Sequence, residues 1–265
     1  MNRVAVVIPI YKESLTYYEK IAVEQCFKVL SGYPIILIKP QSINIANANM
    51  FSNVISFEDS FFSDIHGYNM LMLHPDFYKA FLNYEFILIY QLDAFVFKND
   101  LEFWCNQKID YVGAPWLRPS EYPDIIKATK SRLLNYFHIR YNIKQPKSDI
   151  PTEIQFENKV GNGGLSLRRV KRLYELCLQY APLIDAYNKR KEHYFNEDTF
   201  WSIEVNRKYQ QLLIPSYKIA VKFAFENCPE RALNLNCGEL PFGCHAWERH
   251  LEFWRPIFKK HGYNI

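Results

Sequence analysis

The apolar run Val4 to Ile10, "VAVVIPI", stops at Pro9-Ile10-Tyr11. Such a run predicts a central strand buried on both faces. An amphipathic stretch from Thr16 to Leu30 follows and ends before Gly32 and Pro34, as a helix would. "PIILIKP" repeats the strand pattern, and "NVISF", Asn53 to Phe57, reads as a third short strand. "SDIHGYNMLMLHPDFYKAFLNY" has helical spacing with a break near Pro75, and "FILIYQ" is a fourth strand. Alternation of strand and helix predicts a mostly parallel, twisted sheet flanked by helices.

From Pro115 to Lys159 the pattern loosens. "KATKSRLLNYFHIRYNIK", Lys127 to Lys144, is basic and interleaved with Leu, Tyr, Phe and Ile, so this stretch is expected to be an inserted basic helical segment. It is either a solvated positive face or a patch for an anionic acceptor or a membrane surface. "VGNGGLSLRR" then returns to strand character, and Val170 to Tyr180 is helical. Asp185 to Tyr209 reads as mainly helical around a turn at "NEDTFW", and one more short helix follows His245. The expectation is one α/β domain over residues 1–265, with the insertion at 115–159.

Composition narrows this picture only a little. The net charge of +4 favours anionic small molecules or lipid head groups and gives no reason to expect nucleic acid. Aromatic residues make up 17% of the chain, which suits a sugar-handling cleft as well as an ordinary core. Six cysteines without any C-x-x-C pair read as reduced thiols, not a zinc ribbon or disulfide framework. The first apolar run is too short for a membrane span and has no small-residue cleavage site, so a cytoplasmic protein is expected.

Four clusters carry candidate chemistry. In "QLDAF", Asp93 sits near the end of an almost wholly apolar run, where an ionised carboxylate needs a cation, a metal or several donors. Ligands of open α/β sheets bind beyond such strand ends. In "VGNGGLSLR", Gly161, Gly163 and Gly164 would let a ligand approach the main chain, or would simply bend a strand. The spacing is neither G-x-G-x-x-G nor a P-loop. In "NEDTFW", Glu197 and Asp198 open a helix, where they could serve a reaction or merely suit the helix dipole behind an Asn196 cap. "PFGCHAW" reads as a Gly-bearing turn presenting His245, a ligand or a structural residue.

Together these stretches resemble glycosyltransferases of the GT-A (Rossmann-like) fold. Their order over nearly the whole chain is similar to a bacterial group marked by "QLDAF", "NGG" and "FGCHAW". The resemblance implies a strand-end Asp-x-Asp motif that holds a divalent metal on the donor diphosphate. Here Asp93 matches its last Asp, and Gln91 stands at the first. It also implies a C-terminal metal ligand, His245, and a later acidic pair serving an inverting base, with Asp198 as the base and Glu197 beside it. By the same resemblance Pro9, Tyr11 and Lys12 lie near the nucleoside, and His66 and Asn69 near the diphosphate or ribose. Gln91, Asn162, Gly163 and Gly164 complete the donor site.

A leaving diphosphate needs positive charge, and one carboxylate with one imidazole suits Mn2+ or Mg2+. The expected activity moves a sugar from a nucleotide-sugar donor to a saccharide or lipid-linked saccharide, in surface polysaccharide synthesis, with peripheral contact to the inner face of the membrane. A non-catalytic carbohydrate-binding or scaffold protein on the same fold is the competing expectation. A nucleotidyltransferase is disfavoured, since no Gly- and Lys/Arg-rich loop follows Tyr11.

Overall fold

A computed structural model describes residues 2–265. Eleven strands are β1 (Asn2–Pro9), β2 (Ile35–Pro40), β3 (Asn53–Phe57), β4 (Tyr84–Tyr90), β5 (Ala94–Val96), β6 (Tyr111–Val112), β7 (Pro115–Trp116), β8 (Lys159–Val160), β9 (Leu165–Arg169), β10 (Ala224–Phe225) and β11 (Gly243–His245). The main sheet has the order β3-β2-β1-β4-β9-β6. Its first four strands are parallel, and β9 runs antiparallel to both neighbours. This is the mixed α/β, mostly parallel sheet flanked by helices that the pattern of the chain predicts.

The apolar runs are continuous because both sheet faces are covered. Val4, Val6 and Ile8 of β1 join one core with Ala22, Cys26 and Leu30 of the Tyr17–Leu30 helix. Ala5 and Val7 face the other core, with Met72, Phe77, Leu173 and Trp201. Alternate residues pointing to opposite faces produce this division. The Tyr17–Leu30 helix starts at a capping box: Thr16 Oγ1 accepts from Glu19 N at 3.3 Å, and Glu19 Oε2 accepts from Thr16 N at 2.7 Å. The next helical stretch breaks at His74, which precedes Pro75 at the start of a new helix. All six cysteines are free.

Four features depart from the sequence expectations. β4 ends at Tyr90, and after the Gln91–Asp93 turn the chain enters a second sheet, β10-β11-β5. "FGCHAW" is not a turn presenting His245: Gly243–His245 is the middle strand of that second sheet, with His245 paired to Ala94. "VGNGGLSLRR" is not one bent strand but two, β8 and β9, which belong to different sheets and are joined by the glycine loop. Short strands of two or three residues carry too little alternation to be read from sequence. Residues 188–196 are also largely non-helical apart from a short 3-10 turn.

Candidate active site

The second sheet brings the ends of the sequence motifs together. Because β5 and β11 pair antiparallel, His245 is carried to the Gln91–Asp93 turn. Its Nε2 lies 3.0 Å from Asp93 Oδ1 and 3.2 Å from Gln91 Oε1. Its Nδ1 faces the Asn162 amide nitrogen at 3.0 Å and Glu226 Oε1 at 3.7 Å. Burial opposes a charged imidazole, but carboxylates at both ring nitrogens outweigh it and raise His245 to about 10. Burial likewise opposes ionised Asp93, and the His245 ring outweighs it and holds Asp93 below the usual carboxylate range.

The glycine loop fits against this ring. Asn162 has a left-handed backbone (φ 57°), which Asn tolerates, and its Oδ1 accepts from Gly164 N at 3.0 Å. Gly164 O in turn accepts from Gln91 N at 2.8 Å. A Cβ on Gly164 would stand 1.9 Å from His245 Nε2, and one on Gly163 would stand 1.8 Å from Glu197 Oε1. The two glycines thus make room for the imidazole and for a carboxylate of the acidic pair.

The acidic pair is divided by its surroundings. Glu197 is 3% exposed and meets the fully buried Arg168 at 3.0 Å. Burial lifts Glu197 above the usual carboxylate range against the pull of Arg168. Asp198 is partly accessible. Burial, then the negative charges of Glu197 and Glu226, push it up to about 7. The Asn196 side chain does not cap this short helix. Instead Asn69, from the Ile65–Met72 helix, accepts from Glu197 N at 2.9 Å and donates to Asn196 Oδ1 at 3.2 Å. Asn69 therefore holds the turn that carries the pair, and its amide is engaged by protein.

The remaining candidates flank this centre. Pro9 is buried at the end of β1, and Tyr11 is 47% exposed beyond it. Lys12 Nζ pairs with Glu19 Oε1 at 2.8 Å, tying the loop to the helix start. Burial, Glu19 and Asp93 raise the Tyr11 phenol, so this loop lies within the field of Asp93. His66 is half-buried in the first turn of the Ile65–Met72 helix, and among the described residues no side-chain hydrogen bond or ion pair ties it to the other candidates.

Three residues of the site have no role assigned from the sequence, although Arg168 ends the "VGNGGLSLR" motif. Arg168 gives its charge to Glu197 and also donates to Tyr78 OH at 3.0 Å and Gly163 O at 3.2 Å. Its signal is an Arg inside a strand that continues both cores. Glu226, 8% exposed, follows a two-residue strand and has no pattern of its own. Tyr68 has a buried hydroxyl without a hydrogen-bond partner. Burial raises this phenol within the fields of Arg168, Glu197 and Asp93, which places it among them.

The donor set fits a hard divalent cation. One carboxylate, one amide oxygen and one imidazole nitrogen converge here, and His245 would serve a cation only as the neutral ring with Nε2 unprotonated. Among the described residues no group of three or more His, Cys, Asp or Glu is arranged to hold a metal ion, and the nearest further oxygen beside Asp93 and His245 is the Gln91 amide. A cavity of about 500 Å3 is lined by Lys159, Val160, Ser202, Tyr122, Tyr217 and Arg132 among others, and by none of Asp93, Asn162, Asp198 and His245. Val160 is two residues before Asn162, and Ser202 is one turn beyond Asp198. Burial lowers the Lys159 amine, which has no ion pair among the described residues, and the Ser202 hydroxyl is buried without a partner.

The fold is shared with glycosyltransferases of known structure. A galactosyltransferase, LgtC, solved with donor and acceptor sugar analogues, superimposes with a TM-score of 0.56 at 11% identity over 97% of this chain and 94% of that one. An active-site mutant of LgtC gives 0.53 at 12% over 91% and 86%. The apo form of mouse xyloside xylosyltransferase 1 gives 0.50 at 11% over 93% and 98%. At these identities the likeness establishes the fold. No curated protein sequence matches. A family profile described as protein of unknown function (DUF5672) matches residues 51–245, a span running from the third strand through the glycine loop and the acidic pair to His245, and the chain belongs to that family.

Proposed function

We propose that the protein is an inverting glycosyltransferase that moves a sugar from a nucleoside-diphosphate donor to a hydroxyl of a saccharide or lipid-linked saccharide. One observation carries this reading: Gln91 and Asp93 at the end of a parallel strand, His245 from the second sheet and Asn162 from the glycine loop meet at a single point. That is where an open α/β sheet binds its ligand. Mn2+ or Mg2+ would be held by Asp93, Gln91 and His245 and would supply positive charge to a departing diphosphate. Tyr11, Lys12 and Tyr68 flank the same point and would orient the donor, while Asn162, Gly163 and Gly164 keep His245 and Glu197 in place.

Asp198 is the base of the reaction. It takes the proton of the acceptor hydroxyl, the oxygen attacks the anomeric carbon, and the bond to the diphosphate breaks, so configuration inverts. A carboxyl near 7 accepts a proton more readily than an ordinary one and is still about half ionised at neutral pH. A scaffold protein has no use for such a raised, destabilising carboxylate, which favours the enzyme over the non-catalytic reading. Glu197, fixed by Arg168, acts as a positioning residue. The cavity beside Lys159 and Ser202 is the acceptor site in this reading, its tyrosines offering faces to sugar rings. Six free cysteines support a reducing, cytoplasmic setting.

Titration of uridine and guanosine diphosphates into the protein with and without Mn2+ tests the donor site. Binding should strengthen with Mn2+ in the parent and lose that dependence in Asp93→Asn. Equal affinity and equal metal dependence in the two proteins would overturn the assignment, and an α-linked product from an α-linked donor would overturn inversion.

A further inference from the structure

The Ile125–Arg140 helix is seated on the protein by one face only. Ser131 reaches Tyr122 OH at 2.7 Å, His138 Nδ1 reaches Thr152 Oγ1 at 2.7 Å, and Asn135 donates to Ile154 O. These residues, with Ala128, follow helical spacing on the inner side. On the outer side, at i, i+4, i+7 and i+11, stand Ile126, Lys130, Leu133 and Phe137. Ile126 is 80% exposed, Leu133 55% and Phe137 49%, and Ile125 beside them is 84% exposed. Exposed apolar side chains this large, lined up on one helix face, mark a contact surface.

Charge identifies what the surface meets. From 125 to 148 the chain has six Lys or Arg and no Asp or Glu. Lys130, Arg132, Lys144 and Lys147 make no ion pair among the described residues. A second copy of this helix would bring its unpaired cations against one another, since the carboxylates flanking the segment, Asp124 and Asp149, already face Lys127 and Arg190. A nucleic acid would neutralise the cations but would leave the isoleucines, Leu133 and Phe137 without an apolar environment. A membrane with anionic head groups satisfies both requirements, the apolar stripe entering the acyl boundary and the cations lying at the phosphates.

We propose that the outer face of the Ile125–Arg140 helix is a docking surface for an anionic lipid bilayer. Arg132, Tyr136 and Arg140 of the same helix line the 500 Å3 cavity, so the docked helix puts the mouth of that cavity at head-group level. A lipid-linked hydroxyl could then reach the cavity without leaving the membrane.

Co-sedimentation of the full chain with phosphatidylcholine vesicles, with and without 30% phosphatidylglycerol, tests this. Binding should be at least tenfold stronger with phosphatidylglycerol and should weaken as salt rises. The exposed double substitution Ile126→Asp and Phe137→Asp should abolish it, and Lys130→Glu should weaken it, with the circular dichroism of each variant matching the parent. Absence of binding to phosphatidylglycerol vesicles would overturn the proposal. So would binding undiminished in the double variant, or lipid-free self-association that the double variant removes. Nucleotide binding measured on the same samples separates this outcome from failure of the donor-site reading.

Discussion

Asp198 and Glu197 are neighbours in sequence with opposite settings, and the difference is set by what each side chain meets. Asp198 stands near two other carboxylates and is lifted to about 7, whereas Glu197 is held by the buried Arg168. If Asp198 is the base, Asp198→Asn lowers turnover roughly 10²- to 10⁴-fold with donor affinity kept, and parent turnover rises with pH through about 7. The sign for stability is the reverse. A carboxyl whose folded value is raised binds its proton more tightly when folded, so its contribution falls as pH climbs from about 4, the unfolded value, toward 7. Asp198→Asn is therefore expected to melt higher than the parent at pH 8, with the gain vanishing near pH 4. A scan of Tm against pH for both proteins checks it. Glu197→Gln acts the other way: it leaves Arg168 buried without its counter-charge and should cost about 3–5 kcal/mol in urea unfolding.

The elements around the site owe their placement to contacts between distant segments. Asn69 caps the Glu197–Thr199 turn from another helix, so Asn69→Ala should destabilise by about 1 kcal/mol and lower turnover through the displaced pair. Measuring both unfolding and turnover checks it, and loss of neither would remove the cap from the account. The alternation of strand and helix up to Tyr90 was legible because long runs such as Val4 to Ile10 carry a clear period, and the Thr16–Glu19 capping box has a sequence signature. β10 and β11 were not legible, since two or three residues fix no period. What places His245 is its register with Ala94, a pairing 151 positions apart that nothing local announces. The four motifs could be named as candidates, but of the buried partners that sort them Glu226 lies outside every motif, and Arg168, the last residue of "VGNGGLSLR", carries no signal of its partner Glu197.

At the scale of the whole molecule, the mostly parallel main sheet and one small sheet meet at the Gln91–Asp93 turn. Every segment with candidate chemistry except His66 packs around or beside that junction. The chain shares its fold with glycosyltransferases at 11–12% identity, so the activity has to be established from the site. Release of nucleoside diphosphate from a panel of nucleotide sugars, each with Mn2+, Mg2+ or chelator, addresses it most directly. The expected result is slow release from one donor, stimulated by the cation and lost in Asp93→Asn. Folded protein that releases no diphosphate from any donor, with or without cation and acceptor saccharides, would contradict the transferase account.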